Sequence, residues 1–179
     1  MFETLEVGKC INKKDFEEQS LALRQKLLMA QFQLAGLDYP VIIVVAGLDG
    51  AGKGSVVHRL NEWMDPRGIE TNAFWLSSDE EDSRPFFWRF WRRLPRKGEI
   101  GIFFGSWYVP PMQKALKGKL SESDFSLQCQ KIAGFEKMLS DDGALIIKLW
   151  FHISRKTQYL QLSQDAPKKQ QNLVVPVDA

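Results

Sequence analysis

A short glycine-rich stretch, from Gly47 to Ser55, combines the residue types that bind phosphate. Gly47, Gly52 and Lys53 fit the spacing glycine, four residues, glycine, lysine, which is the signature of a phosphate-binding loop. Such a loop offers backbone N–H groups to a polyanion, and the following helix directs its positive end at the phosphate. A plain glycine-rich turn is the alternative, but the preceding strand, the spacing and the lysine together favour phosphate binding. The predicted phosphate-binding residues are Gly47, Gly50, Ala51, Gly52, Lys53, Gly54 and Ser55.

Two positions in this stretch depart from the common form of the loop. A serine or threonine usually follows the lysine and holds magnesium, whereas here Gly54 follows Lys53 and Ser55 comes one position later. Asp49 is also unusual, because a carboxylate repels phosphate unless a metal ion lies between them. We therefore predict that Asp49 is a Mg²⁺ ligand or a base for an acceptor phosphate, with Asp49 and Lys53 as the catalytic residues. The alternative for Asp49 is a turn residue of the Asx type.

The sequence on both sides of the loop predicts the elements that must position it. The β-branched run Val41–Val45 indicates a buried strand, and a helix is expected from Lys53 to about Met64. Apolar residues at helical spacing predict a long helix before the strand, from about Asp15 to Ala35. The further predicted elements are strands at Thr71–Leu76, Ile100–Phe104 and Ala144–Trp150, and helices from Pro85 to before Pro95, from Ser121 to about Leu139, and from Ser154 to Leu162.

This alternation of strands and helices predicts an α/β fold in three layers, with a parallel central sheet flanked by helices. Ligands of such sheets bind beyond the carboxyl ends of the strands. We therefore expect one rim to carry the phosphate loop, the acidic loop Ser77–Ser83, the segment Ser106–Tyr108 and the segment His152–Arg155.

Composition limits the possible functions of the chain. Its 179 residues, 44% hydrophobic and 26% charged, suit one globular domain. The formal net charge of +2 is too small to indicate nucleic-acid binding. We find no signal peptide and no apolar run that could span a bilayer, so a cytoplasmic location without membrane partners is expected. The predicted division is an arm at 1–13, a phosphate-loop domain at 14–164 and a polar tail at 165–179.

Three motifs in order resemble the polyphosphate kinase 2 family. The first is Gly47–Gly54, the second is Gly98–Phe103 with Ser106-Trp107-Tyr108, and the third is Leu149–Arg155 with Gln158. The resemblance covers roughly Asp15 to Leu162. Within the family, the segments 88–95 and 103–108 look closest to the N-terminal repeat of two-domain polyphosphate:AMP phosphotransferases. The resemblance implies a P-loop kinase-like fold and Mg²⁺-dependent phosphoryl transfer between inorganic polyphosphate and an adenine nucleotide, AMP to ADP in particular.

The chain departs from the family pattern at two places. The second signature normally carries Asp-Arg before Ser-Trp-Tyr, to hold magnesium and phosphate, but Phe104 and Gly105 stand there. A basic helical lid after the third signature is also missing, which indicates truncation or a lid in a second repeat. We therefore expect a catalytically weakened repeat of a larger enzyme, paired with a second repeat or with another copy. The alternatives are a non-catalytic module that binds polyphosphate or supports an active repeat, and a small nucleotide kinase, which leaves Ser106–Tyr108 unexplained.

Arginines supply the remaining candidate site residues. Arg89, Arg92 and Arg93 are predicted to share one face of a helix, where guanidinium groups would suit a linear polyanion. The alternative is an ordinary solvated helix face. The complete set of polyphosphate or nucleotide candidates is Arg84, Arg89, Arg92, Arg93 and Arg155.

Overall fold

The structure, a computed structural model, describes residues 10–165, with the side chains of 164 and 165 left out. Four strands of this part form one parallel sheet in the order β2-β3-β1-β4. The predicted α/β class and parallel sheet are thus confirmed. Residues 1–9 of the predicted arm and 166–179 of the predicted tail lie outside the described part. The strands are β1 (Val41–Gly47), β2 (Ile69–Ala73), β3 (Ile100–Phe104) and β4 (Leu145–Phe151).

Helices connect the strands and cover both faces of the sheet. Within residues 10–165, none of them is long and apolar enough to cross a bilayer. A short 3₁₀ turn, Pro66–Gly68, leads from the second helix into β2. The helices are α1 (Lys13–Leu34), α2 (Lys53–Trp63), α3 (Asp79–Asp82), α4 (Trp88–Trp91), α5 (Val109–Leu116), α6 (Glu122–Asp141) and α7 (Arg155–Asp165).

The β1 side chains alternate between two hydrophobic cores, because successive residues of a strand face opposite sides of the sheet. Val41, Ile43 and Val45 pack with residues of α1 and α2. Ile42 and Val44 pack on the other side with residues of α4 and α6. The phosphate-loop helix α2 and the arginine-bearing helix α4 therefore lie on opposite faces of the sheet, and this placement decides how the candidate residues can cooperate.

Several predicted boundaries were wrong, and capping explains one of the differences. β2 is Ile69–Ala73 instead of Thr71–Leu76. Part of the predicted acidic loop is helix α3, because Ser78 and Glu81 form a reciprocal capping box. The predicted helix after Pro85 shortens to the single turn α4. Helix α5 was not predicted, although Pro110 and Pro111 fit the first turn of a helix.

A buried glutamine ties α1 to the turn that follows α2. Gln31 is only 5% exposed. Its Nε2 donates to the Asp65 carbonyl at 2.8 Å, and its Oε1 accepts from the Asp65 N–H at 2.7 Å. One side chain therefore satisfies both backbone groups of a residue outside the sheet. This tie holds α1 against the end of α2, and its disruption would leave buried polar groups unpaired.

Candidate phosphate-binding site

The loop leaves β1 at a glycine that no other residue could replace without distortion. Gly47 has φ of +130°, and an added Cβ would overlap the backbone of Phe151 on β4. The next N–H, that of Leu48, donates to the Phe151 carbonyl at 3.0 Å. The start of the loop is therefore fixed against the carboxyl end of the neighbouring strand.

Lys53 is held inside the loop by the loop's own oxygens. Its Nζ donates to the carbonyl oxygens of Gly47 and Leu48 at 2.7 and 2.8 Å, and to Asp49 Oδ1 at 3.0 Å. The side chain is 14% exposed. The ammonium group is thus already desolvated and placed at the mouth of the loop, where a phosphate oxygen can replace one of these acceptors.

The first turn of α2 has no side-chain cap. Gly52 is the N-cap residue in a left-handed conformation with φ of +83°, and no side chain accepts from the helix N–H groups. Gly54 and Ser55 are exposed in this turn, and the space around the Gly54 Cα is open. Uncapped N–H groups and the positive end of the helix favour an anion here.

Asp49 extends from the loop into solvent. Its side chain is 85% exposed, and its ionic partner within residues 10–165 is Lys53. Among residues 10–165, no group of three or more His, Cys, Asp or Glu side chains could hold a metal ion. Mg²⁺ is commonly held by one or two carboxylates together with substrate phosphates and water. The single carboxylate of Asp49 therefore fits Mg²⁺ only if phosphate oxygens complete the site.

Helix α7 packs on the outside of the phosphate loop. Gln158 Nε2 donates to the Asp49 carbonyl at 3.0 Å. A Cβ added to Gly50 would lie 3.4 Å from Gln161 Cβ and 3.6 Å from Leu162 Cγ. Ser154 caps the helix by accepting from the Thr157 N–H. The predicted rim position of the third motif is thus observed, and sequence reasoning gave no role to its contact with the loop.

The second motif is built into the protein interior at the end of β3. Phe104 is half-buried and meets Trp75 edge-on at 5.9 Å. Gly105 has φ of +75°, and an added Cβ would overlap the carbonyl oxygen of Phe74. Ser106 and Trp107 are fully buried. The two positions that the family resemblance assigns to aspartate and arginine therefore hold a packing residue and a glycine required by the backbone.

Glu136 of α6 connects the second motif to β4. Its Oε1 accepts from Trp107 Nε1 at 3.1 Å and from the Tyr108 hydroxyl at 2.6 Å, while its Oε2 accepts from Lys148 Nζ at 2.9 Å. Hydrogen bonding to Glu136 raises the pKa of Lys148, and burial followed by the Glu136 contact raises the pKa of Tyr108. Sequence reasoning missed Glu136, because nothing in the spacing of α6 distinguishes it.

The arginines near α4 do not form one continuous basic track. Arg89 is 12% exposed and pairs with Glu81 at 3.4 Å. Arg93 lies 3.8 Å from Glu70 at the edge of the sheet. Arg84 and Arg92 contact the ring of Trp88, at 5.4 and 4.8 Å from its centroid. Arg155 is exposed at the start of α7.

Three of these arginines line a pocket at the β2 edge of the sheet. Its volume is about 370 Å³, and Glu70 and Glu81 are among its lining residues. Two buried donors of the lining, Asn72 Nδ2 and Arg89 Nε, have no hydrogen-bond partner in the part of the chain that the structure describes. The pocket lies on the α4 face, two strands away from β1. The structure therefore separates Arg89, Arg92 and Arg93 from the phosphate loop.

Comparisons with known proteins identify the family of the chain. Residues 10–178 match the family model described as polyphosphate kinase 2. The chain belongs to the polyphosphate kinase 2 family. A curated relative from Pseudomonas aeruginosa, named polyphosphate:AMP phosphotransferase, is 50% identical over 157 residues, which are 87% of this chain and 32% of the relative. A relative from Meiothermus ruber, named AMP/ADP-polyphosphate phosphotransferase, is 30% identical over 81% of this chain and 53% of its own length.

Solved structures of the family share the fold. A crystal structure described as a polyphosphate kinase 2 from Pseudomonas aeruginosa matches with a TM-score of 0.86 and 48% identity, over 92% of this chain and 36% of that chain. The polyphosphate kinase 2 from Arthrobacter aurescens matches with a TM-score of 0.79 and 28% identity, over 92% of this chain and 60% of that one. The kinase-like parallel sheet is thus common to them, while this polyphosphate kinase 2 chain spans only about a third of its Pseudomonas aeruginosa relative.

Proposed function

We propose that this chain is a phosphotransferase-type domain of polyphosphate metabolism, which transfers phosphate between inorganic polyphosphate and AMP, with slow turnover by itself. The observation that carries the proposal is the phosphate loop, where the desolvated ammonium of Lys53 and the uncapped first turn of α2 converge. The names of the relatives, which specify polyphosphate with AMP or ADP, support the substrate class.

The residues of the loop divide the work of holding a phosphate chain. The first-turn N–H groups of α2 bind phosphate oxygens, and Lys53 exchanges a loop carbonyl for a terminal phosphate oxygen. Mg²⁺, when bound by Asp49 and phosphate, offsets charge that builds up during transfer. Asp49 itself keeps its carboxylate at the exposed rim, beside the ammonium of Lys53. Catalysis of this kind depends mainly on positioning and charge stabilisation.

The end of β3 supports the proposal of slow turnover. Phe104 cannot bind a metal ion, and Gly105 presents no side chain to a phosphate. Loss of one group that stabilises charge in the transition state costs about two to three orders of magnitude in rate. We therefore propose that a second repeat of a longer protein supplies strong transferase activity.

The second candidate is a module that binds polyphosphate without catalysis and packs against an active repeat. The exposed apolar side chains of β4 favour it. Leu145, Ile147 and Trp150 are 47%, 38% and 43% exposed on this strand at the sheet edge. Parallel sheets are usually covered on both faces and at such edges, so another part of an assembly would bury these residues.

One experiment separates the two candidates. Formation of ADP from AMP and polyphosphate with Mg²⁺ is measured beside a polyphosphate-binding titration, for the wild type and for Lys53→Ala. Slow but Lys53-dependent ADP formation would support the transferase, and binding without any turnover would support the module. If the wild type neither binds polyphosphate nor forms ADP, both candidates fail.

A further inference from the structure

Helix α7 makes a specific contact with the phosphate loop that the loop motif itself does not require. The Gln158 amide reaches from the helix to the Asp49 carbonyl at 3.0 Å, across 109 positions of sequence. Gly50, the next residue, lies against Gln161 and Leu162 of the same helix. The contact therefore joins the centre of the loop to a helix that follows the last described strand.

The three carbonyl groups that begin the loop are all engaged by side chains. Lys53 occupies those of Gly47 and Leu48, and Gln158 occupies that of Asp49. A phosphate that attracts Lys53 releases the first two. The Gln158 bond is the one that does not involve the ammonium group, so it can persist while a phosphate chain is bound.

Peptide geometry gives this bond a directional consequence. In a planar trans peptide, the N–H of a residue points opposite to the carbonyl of the residue before it. Because the Asp49 carbonyl points at Gln158, the Gly50 N–H must point away from α7. Gly50 has φ of +77°, a conformation that glycine enters and leaves easily. The peptide could rotate if nothing held its carbonyl.

We infer that Gln158 is a positioning residue of the phosphate loop, because its amide fixes the orientation of the Asp49–Gly50 peptide. The orientation of this peptide in turn sets the directions in which the Gly50 N–H and the Asp49 carboxylate point. The inference deepens the proposed function, on which it rests for the identity of the ligand. Its structural part, the restraint of the loop by α7, holds for the ligand-free chain as well.

The test compares variants that keep the shape of Gln158 but change its amide. Gln158→Met retains length and packing and removes the donor, and Gln158→Glu places an acceptor against the Asp49 carbonyl. The matched control is Gln130→Met, at an exposed position of α6. Two readouts are used: hydrogen–deuterium exchange of residues 47–53 without ligand, and the Kd of inorganic tripolyphosphate with and without Mg²⁺.

We expect both Gln158 variants to exchange faster in residues 47–53 and to bind tripolyphosphate roughly two- to tenfold more weakly, the range of one lost hydrogen bond. Gln130→Met should match the wild type in both measurements. Thermal melts show whether a variant has lost the whole fold. If it has, hydrogen–deuterium exchange would become faster in β1 as well as in the loop.

The outcomes also separate this inference from the proposed function. Unchanged exchange and unchanged Kd in both Gln158 variants would overturn the positioning role while the function stands. Faster loop exchange in a chain that does not bind tripolyphosphate would remove the proposed function and keep the structural restraint. A third outcome is that hydrogen–deuterium exchange becomes faster to the same degree throughout the sheet, and that Gln158→Met and Gln158→Glu lose the same amount of tripolyphosphate affinity. This result would show that Gln158 acts in folding and would overturn the inference.

Discussion

At the scale of single residues, Lys53 is already held in place at the loop that we propose to bind phosphate. Two carbonyls and a carboxylate hold the ammonium group at the loop, so little side-chain entropy remains to be lost on binding. The same oxygens must be exchanged for phosphate oxygens. The affinity of the loop is therefore a difference between two sets of hydrogen bonds to one charged group.

Replacement of Lys53 by alanine tests this point. We expect Lys53→Ala to weaken tripolyphosphate binding by at least tenfold, because a charged hydrogen-bond donor contributes about 1.5–3 kcal/mol. The chain should still fold, although the loss of the hydrogen bonds to Gly47, Leu48 and Asp49 should lower its unfolding temperature. Isothermal titration beside a thermal melt checks both statements. An unchanged Kd would remove the loop from the mechanism.

Arg89 in α4 and Arg92 directly after it carry the same charge but differ in burial, which gives a matched pair. Arg89→Gln should lower the free energy of unfolding by about 1–3 kcal/mol, since it leaves the half-buried Glu81 without its charged partner. Arg92→Gln removes an exposed guanidinium and should cost much less. Urea denaturation gives the free energy of unfolding of both variants. Equal decreases in the two variants would contradict the structural role of Arg89.

Residue types alone were sufficient to predict the loop and insufficient to predict its surroundings. Gly47, Gly52 and Lys53 carry a local signature, because a tight phosphate loop constrains every backbone position in a short stretch. Gln31 and Glu136 act through contacts at long sequence separation. A single glutamine or glutamate on a helix has the same local appearance whether it points to water or to a buried partner, so no pattern could reveal these two.

At the scale of elements, polar side chains hold individual helices to their neighbours through specific hydrogen bonds. Gln31 fixes α1 to the turn after α2, and Glu136 fixes α6 to β4 and to the second motif, Trp107 and Tyr108, just before α5. Both supplement hydrophobic packing, which by itself has little directional preference. The positions of these helices relative to the rim are therefore set by a small number of hydrogen bonds.

Removal of the Gln31 amide should loosen α1. We expect Gln31→Leu to lower the free energy of unfolding by about 1–3 kcal/mol, because the buried Asp65 N–H and carbonyl lose their partners. Gln33→Leu, the same change at an exposed position two residues later, serves as the control. Chemical denaturation of both variants gives the comparison. A similar stability for the two would show that the amide tie contributes little.

The Glu136 contacts predict a loss of stability at alkaline pH. Because the folded state raises the pKa of Lys148 and Tyr108, their contribution is complete below the unfolded values of 10.5 and 10.0 and is lost as pH rises through the folded values. We expect wild-type stability to fall more steeply above pH 10 than that of Glu136→Gln. Urea midpoints between pH 8 and 11.5 measure the slopes, and parallel curves would contradict the assignment.

At the scale of the whole molecule, the sheet separates two groups of positive charge. The phosphate loop continues into α2 on one face, while Arg92 and Arg93 lie beside β2 on the other. Two strand spacings, about 10 Å, separate β2 from β1 in the plane of the sheet. A short polyanion bound at the loop therefore reaches fewer of these arginines than a long one.

This separation predicts a dependence on chain length. Arg92→Gln with Arg93→Gln should leave tripolyphosphate binding nearly unchanged but reduce both the affinity for long-chain polyphosphate and its dependence on salt, which counts neutralised phosphates. Titrations with both ligands at several ionic strengths provide the measurement. If the double variant keeps the wild-type salt slope for long chains, the arginine face takes no part in binding.

The parallel sheet and its covering helices could be predicted from the sequence. Buried strands such as β1 are continuous apolar runs, and helices carry apolar residues at intervals of three and four positions. The exact end of β2 could not be predicted in this way. Its sequence, Ile-Glu-Thr-Asn-Ala, has three polar residues in a row and no apolar run, and its boundary follows from pairing with β3 at the edge of the sheet. The division of the charges between two faces likewise depends on topology, which local patterns do not contain.

The backbone conformation at Gly105 limits which residues position 105 can accept. A left-handed backbone in contact with the Phe74 carbonyl admits only glycine, so the arginine that the family resemblance leads one to expect cannot be introduced by a substitution at position 105 alone. The backbone around Phe74 would have to change conformation first, although the neighbouring side chains of Phe104 and Trp75 pack against each other there. A chain with this backbone therefore keeps glycine at position 105 unless the residues around Phe74 change as well.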